Sequence, residues 1–219
     1  MKRNQIIAGG VALVIALGAA FFGYKSWQKK KHETQLAQLV NDAGAQLEAN
    51  LGVNINAPAP DLLAKLDKAI EQTEAGLSQI RSGPGDPLAE AADDYVGLVL
   101  GVLKRQAGAA RGRLKFNESH KVLAAHLAQV GQRGNDWMPK AIQLRQALDK
   151  DYFDYQIAAS SLANMLRSYP ESRKKIAARL PAAPLPAEAA VKEAREKALA
   201  AAEATKQELE KAKQLVAPG

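Results

Sequence analysis

Cysteine is absent from the 219 residues, aromatic side chains make up only 5% of them, and acidic groups are outnumbered, 23 against 30 Lys and Arg. Without cysteine there is no thiol nucleophile, no thiolate-bound zinc, no iron–sulfur cluster and no disulfide staple. A Walker pattern is missing, as is a GxGxxG turn following a strand, so the usual backbone cradles for phosphate are excluded. The Glu-x-x-His pair of diiron bundles is missing too. Of the three histidines, His32, His120 and His126, the last two are six residues apart. That spacing puts them on opposite sides of a helix, where they cannot share a metal. Ser160 and Ser161 have no base candidate nearby in sequence. No cofactor is expected, and no nucleophile, acid–base pair or ligand set can be assigned. The expectation is a protein that is not an enzyme.

What is present is a 47% hydrophobic composition, enough for one or two compact units, and a single long uncharged run. Residues 6–24, IIAGGVALVIALGAAFFGY, follow Lys2 and Arg3 and precede Lys25, Lys29, Lys30 and Lys31. As a helix rising 1.5 Å per residue the run is about 28 Å long, close to the hydrocarbon thickness of a bilayer. It is expected to span a membrane once. Tyr24 and Trp27 stand where aromatic rings favour the headgroup boundary, and Lys25, Lys29, Lys30 and Lys31 can reach lipid phosphates. Ala8, Ala12, Ala16 and Ala20 recur every four residues, a small-residue stripe along which a second transmembrane helix can pack. A cleaved signal peptide is the alternative, with Gly18, Ala19 and Ala20 offering a peptidase site, but the apolar run continues past them through Phe21 and Phe22. The lysine count favours a cytoplasmic body, whereas a short basic start followed by an apolar run resembles an export anchor. The expected location is therefore a bacterial inner membrane, with the body periplasmic and the cytoplasmic alternative kept open.

Beyond the anchor, apolar residues recur at three- and four-residue spacing and strand-like alternation is missing, so the fold is expected to be all-α. Leu36, Leu39, Val40, Ala43, Leu47 and Leu51 mark a first body helix over 33–51, closed by Gly52. Leu62, Leu63, Leu66, Ile70, Leu77 and Ile80 mark a second, opened by Asp61 or Pro60. Asp86 and Pro87 suit the cap and first position of a third, which can run unbroken from 88 to about 130 unless Gly108 or Gly112 interrupts it. Within it, the uncharged residues 95–103 predict burial on most sides, with Gly97 and Gly101 admitting a neighbour. A fourth helix, capped by Asp136, runs to a break near Ser168, Tyr169 and Pro170, and a short basic helix follows over 171–180. Four long amphipathic helices with short connections predict an antiparallel bundle.

The domain reading is thus an anchor with basic flanks at 1–32, a helical bundle at 33–180, a stiff proline-rich linker at 181–186 and an Ala/Glu/Lys-rich charged helix at 187–219. That last helix carries a heptad frame through Val191, Ala194, Ala198, Ala201, Thr205, Glu208, Ala212 and Leu215. Its seam is mostly alanine, so a solvated helix is the expectation.

Charge is segregated. Residues 1–32 hold 6 basic and 0 acidic side chains, 33–103 hold 3 and 11, 104–180 hold 15 and 6, and 181–219 hold 6 and 6. Either the acidic and basic halves pack together inside one bundle, or Lys104, Arg111 and Lys115, which share a helix face, form a basic partner surface. Phe116 alone does not supply the base-stacking residues of a nucleic-acid module, so lipid or protein contact is favoured over nucleic acid. The densest acidic and aromatic group is Asp149, Asp151 and Asp154 with Tyr152, Phe153 and Tyr155; Tyr152 and Phe153 are expected in the core.

The functional expectation is a non-enzymatic, single-pass envelope scaffold or accessory subunit of a membrane complex, contacting the bilayer and another membrane or envelope protein, or itself. A second class is a tethered sensory or small-ligand-binding bundle, with the ligand near Trp137, Tyr152 and Tyr155. In layout alone, one anchor followed by helix, the chain resembles the phage inner-membrane spanins, which are simpler coiled coils.

Overall fold

The computed structural model describes the backbone of residues 2–129, 134 and 136–215, and side chains from Lys25 onward within those ranges. It is 84% helix, with no strand among the described residues. In chain order the helices are α1 (Lys2–Leu51), α2 (Leu62–Ser82), α3 (Pro87–Ala128), α4 (Trp137–Arg167), α5 (Tyr169–Ala177) and α6 (Glu188–Gln214). Two units are distinguished, residues 1–38 and 39–219. The separate helix expected over 33–51 is instead the second part of α1, because nothing between Tyr24 and Glu33 breaks a helix: the stretch lacks proline and glycine.

Among the described residues no helix is long and apolar enough to cross a membrane. The expected membrane run at 6–24, with Ala8, Ala12, Ala16, Ala20 and Tyr24, lies outside the residues whose side chains are described. In the same first unit, Lys29 pairs with Glu33 at 3.8 Å, and the Lys31 ammonium sits 5.5 Å from the Trp27 ring centre. Lys25, Trp27, Lys29, Lys30 and Lys31 are exposed.

The second unit is the bundle. Cross-helix pairs give its direction: Gly101 meets Met165, Arg105 bonds Ser161, Gly112 meets Tyr155 and Phe116 packs on Tyr152. Numbers rise on α3 as they fall on α4, so the two are antiparallel. Arg81–Asp93, Glu74–Lys104 and Asp67–Arg111 fix α2 antiparallel to α3 by the same logic. The expected helical bundle is therefore present, with α2, α3 and α4 alternating in direction.

Local chemistry explains most boundaries. The Asp86 carboxylate accepts hydrogen bonds from the backbone N–H groups of Leu88 and Ala89, both at 2.8 Å, and Pro87 occupies the first turn of α3. Asp61 and Asp136 do not cap as expected. Both adopt helical backbone angles, from which a side chain cannot fold back onto its own first turn, and neither makes a side-chain cap bond. Neither Gly108 nor Gly112 interrupts the 42-residue α3. Residues 95–103 are buried on most sides as expected: Tyr95, Val99, Val102 and Leu103 are wholly covered, and Leu98 is half-buried.

The largest departure is α6. Val191, Ala194, Ala198, Ala201, Thr205 and Ala212 of the heptad frame are buried together with Leu209, so most of the seam faces the bundle and not solvent, while Glu208 is partly exposed and Leu215 is 72% exposed. Alanine makes a weak coiled-coil knob, but its small size lets a backbone lie close to a neighbouring helix. Leu209 and Ala212 join Phe116, Leu123, Ala141 and Leu148 in one apolar cluster, against which Leu127, Trp137, Leu144 and Tyr152 also pack. Phe153, expected in the core, is 58% exposed. It lies two residues from the buried Tyr155, which is about 200° around a helix with 3.6 residues per turn. The 181–186 segment lies over the bundle: Tyr169 Oη donates to the Pro186 carbonyl at 2.6 Å.

Candidate functional site

The basic stripe resolves into ion pairs. Lys104 Nζ is 2.5 Å from Glu74 and Arg111 Nη2 is 2.6 Å from Asp67, each pair about half exposed, while Lys115 is exposed. At Lys104 and Arg111, then, the cations of α3 are matched by carboxylates of α2 beside them.

The residues that do converge lie one face away on α3. Gln106 and Arg113, seven residues apart, point the same way as Val99, Leu103 and Phe116, into the bundle. Arg113 retains only 7% side-chain exposure and spends its guanidinium on three partners. Nε donates to the Asn56 carbonyl at 2.9 Å, Nη1 to Thr205 Oγ1 at 2.8 Å, and Nη2 to both carboxylate oxygens of Glu208 at 2.9 and 2.8 Å. Its charge also lies 5.2 Å from the Phe116 ring centre. Charge-assisted bonds of this kind are about twice as strong as neutral ones, so α3, α6 and the loop after α1 are joined at one point. Tyr155 lies alongside, and burial pushes its hydroxyl above the ordinary tyrosine range, partly opposed by the nearby Thr205 hydroxyl and by the Arg113 charge.

Next to this cluster is a cavity of about 530 Å³. Its walls come from the 51–56 loop, from Gln106 on α3, from Leu162 and Leu166 on α4, and from Ala194, Ala198, Ala201 and Ala204 on α6. The cavity exists because α6 presents methyl groups where longer side chains would reach across. Its volume lies within the range of small-molecule sites.

Gln106 Nε2 donates to the Asn50 carbonyl at 2.9 Å, while Gln106 Oε1 is buried and accepts no hydrogen bond among the described residues. The sequence pattern assigns no role to Gln106, and from the basic stretch that also holds Arg113 it singles out only Lys104, Arg111 and Lys115. The three- and four-residue spacing from Leu103 through Gln106, Ala109, Arg113 and Phe116 was the available signal that both belong to the apolar face.

The ligand region expected near Trp137, Tyr152 and Tyr155 is packed differently. Trp137 and Tyr152 lie against the apolar cluster, Tyr155 is fully buried, and none of the three lines this cavity. Asp149 pairs with Lys213 at 2.9 Å, and Asp151 accepts from the Ser119 hydroxyl at 2.5 Å. His120 stacks on Phe116, and His126 stacks on Trp137 with Nε2 2.9 Å from the Trp137 carbonyl. Among the described residues no group of three or more His, Asp or Glu is arranged to hold a metal ion. Ser160 and Ser161 line a shallow groove on α4 with Arg105, Phe153 and Ile157.

Compared with protein-family models, curated proteins and solved structures, the chain has no significant match to any of them.

Proposed function

We propose that the chain is a non-enzymatic, membrane-tethered helical bundle of the bacterial envelope, working by contact as a scaffold or as an accessory subunit of a membrane complex. The observation that carries this reading is the uncharged run 6–24 between basic flanks, lying in the helical segment Lys2–Leu51. In this reading the run spans the inner membrane once, the Ala8, Ala12, Ala16 and Ala20 stripe receives a partner helix, and the body is exported to the periplasmic side. Lys25, Lys29, Lys30 and Lys31 meet lipid phosphates.

Support for contact by the body comes from α4. Phe153 and Ile157, one turn apart, are 58% and 54% exposed beside the groove of Ser160 and Ser161. Large apolar groups presented together on a surface mark interaction sites.

Crosslinking the full-length chain in native membranes, followed by mass spectrometry, tests the proposal. A discrete crosslinked partner or self-dimer that is lost on Phe153→Ser and Ile157→Ser is the expected result. A chain recovered alone and monomeric, with and without those substitutions, would contradict it.

A further inference from the structure

The outer face of α4 carries a knob beside a hole. Phe153 and Ile157 project from it, 58% and 54% exposed. Next to them runs a groove of about 620 Å³ lined further by Ser160, Ser161, Asn164 and Met165, with Arg105 reaching in from α3 as its single charge. The exposed side of α6, by contrast, is laced with ion pairs such as Lys192–Glu196 and Glu193–Lys197. Few charges, together with aromatic, methionine and arginine side chains, are the composition of an interface core and not of a solvated helix.

Two charges on this face lack a partner of opposite sign. Half-buried Arg105 donates from Nε to Ser161 Oγ at 2.8 Å and from Nη1 to the Gly101 carbonyl at 3.1 Å, both neutral acceptors, and it meets no carboxylate among the described residues. Asp154, exposed and next to Phe153, makes no ion pair among them either. A partly covered guanidinium bonds a carboxylate more strongly than a neutral acceptor, so the occupant that fits this groove brings a carboxylate beside an apolar group.

Phe153 and Asp154 are such a pair. Phe153 lies four residues before Ile157 and Ser161 four after it, on one side of the helix. Two copies of α4 packed antiparallel about a two-fold axis at Ile157 therefore set each Phe153 over the other copy's groove at Ser161. Asp154, three residues before the axis, falls opposite Ser160, within reach of the Arg105 that bonds Ser161. Two-fold interfaces are self-complementary in this way, every contact being made twice.

We infer that the partner docked on the α4 face is a second copy of this chain, held by reciprocal Phe153-in-groove contacts and two Arg105–Asp154 ion pairs about an axis at Ile157. The inference rests on the contact reading of α4 proposed above and names its partner.

Because the chain has no cysteine, single cysteines report the geometry. In membranes from cells making the full-length chain, Ile157→Cys treated with copper phenanthroline is expected to give a disulfide-linked dimer, since a residue on the axis can meet its own copy at the Cβ separation of about 4 Å that a disulfide needs. Gln146→Cys, exposed on the same face but eleven residues from the axis, is expected to stay monomeric. Added to Ile157→Cys, Asp154→Arg places like charges together at both ends of the interface and should lower the dimer yield at least about tenfold. Adding Arg105→Glu as well exchanges the two charges and should restore the yield. Absence of the Ile157→Cys dimer, an equal dimer from Gln146→Cys or an unchanged yield in Asp154→Arg would each overturn the inference. So would an exchanged chain, shown intact by protease resistance, that stays at the low yield. A membrane crosslink to a different protein that needs Phe153 and Ile157, without the Ile157→Cys dimer, would leave the contact reading standing and overturn the identity of the partner.

Discussion

Arg113 on α3 and Glu208 on α6, 95 residues apart in the chain, form a two-pronged ion pair at 2.9 and 2.8 Å, with the arginine buried and the glutamate 40% exposed. That asymmetry sets the consequence of breaking it. Glu208→Ala strands a covered guanidinium, while Arg113→Met leaves a carboxylate that can turn to water. Loss of one partner of a buried pair costs about 3–5 kcal/mol, and the half-exposed glutamate lowers the figure here to roughly 2–4 kcal/mol. Urea unfolding of Glu208→Ala should show a loss of that size, larger than for Arg113→Met. Limited proteolysis should cut first within α6.

Two glycines on α3 make a matched pair of opposite sign. A Cβ at Gly112 would lie 3.0 Å from Tyr155 Cα and 3.4 Å from its backbone nitrogen, so α3 and α4 would have to separate. At Gly97 nothing lies within 4 Å. Gly112→Ala should lower stability by about 1–3 kcal/mol through overpacking, net of its helix-propensity gain. Gly97→Ala should raise it by up to about 1 kcal/mol, since alanine loses less backbone entropy in a helix. Thermal denaturation of the two variants side by side checks both signs.

These glycines also show what sequence can and cannot convey. Leucine and valine at three- and four-residue spacing predicted where helices run, and Asp86 followed by Pro87 predicted where α3 begins. Spacing does not say which face of a glycine meets another helix. Gly97 and Gly101 were expected to admit a neighbour, yet only Gly101 has one, Met165, and the closest backbone approach falls at Gly112. Arg113 and Gln106 were hidden for a related reason. A polar residue on an apolar face is legible as buried only once its partner is known, and the partners Glu208 and Asn50 lie 95 and 56 residues away. The cavity was not legible, because it arises from the small size of residues on a helix expected to be solvated.

Burial raises the hydroxyls of Tyr95, Tyr155 and Tyr169 above the ordinary tyrosine value of 10.0, with the neighbouring Tyr169 adding to the effect at Tyr95. The folded state therefore holds these protons more tightly than the unfolded state does. Their contribution is fully present below pH 10 and is lost as pH climbs through the raised folded values. Above pH 10 each such tyrosine should steepen the decline by up to about 1.4 kcal/mol per pH unit. Denaturation midpoints measured between pH 8 and 11.5 should fall more shallowly above pH 10 in Tyr95→Phe than in the unaltered chain.

The pairs Lys104–Glu74 and Arg111–Asp67 sit in solvent, unlike Arg113–Glu208. Lys104→Gln and Arg111→Gln should each cost under about 1 kcal/mol, and the cost should vanish in 1 M salt, where screening acts over about 3 Å. A larger, salt-resistant loss in urea titrations would show that the two surface pairs are structural in the way Arg113 is.

The membrane tether is tested most directly by alkaline carbonate extraction of membranes from cells making the full-length chain or a chain beginning at Lys25. The full-length polypeptide should stay in the pellet at its full mass, and the shortened one should move to the supernatant. Full-length protein released by carbonate, or a mature form trimmed after Ala20 and recovered in solution, would contradict the account.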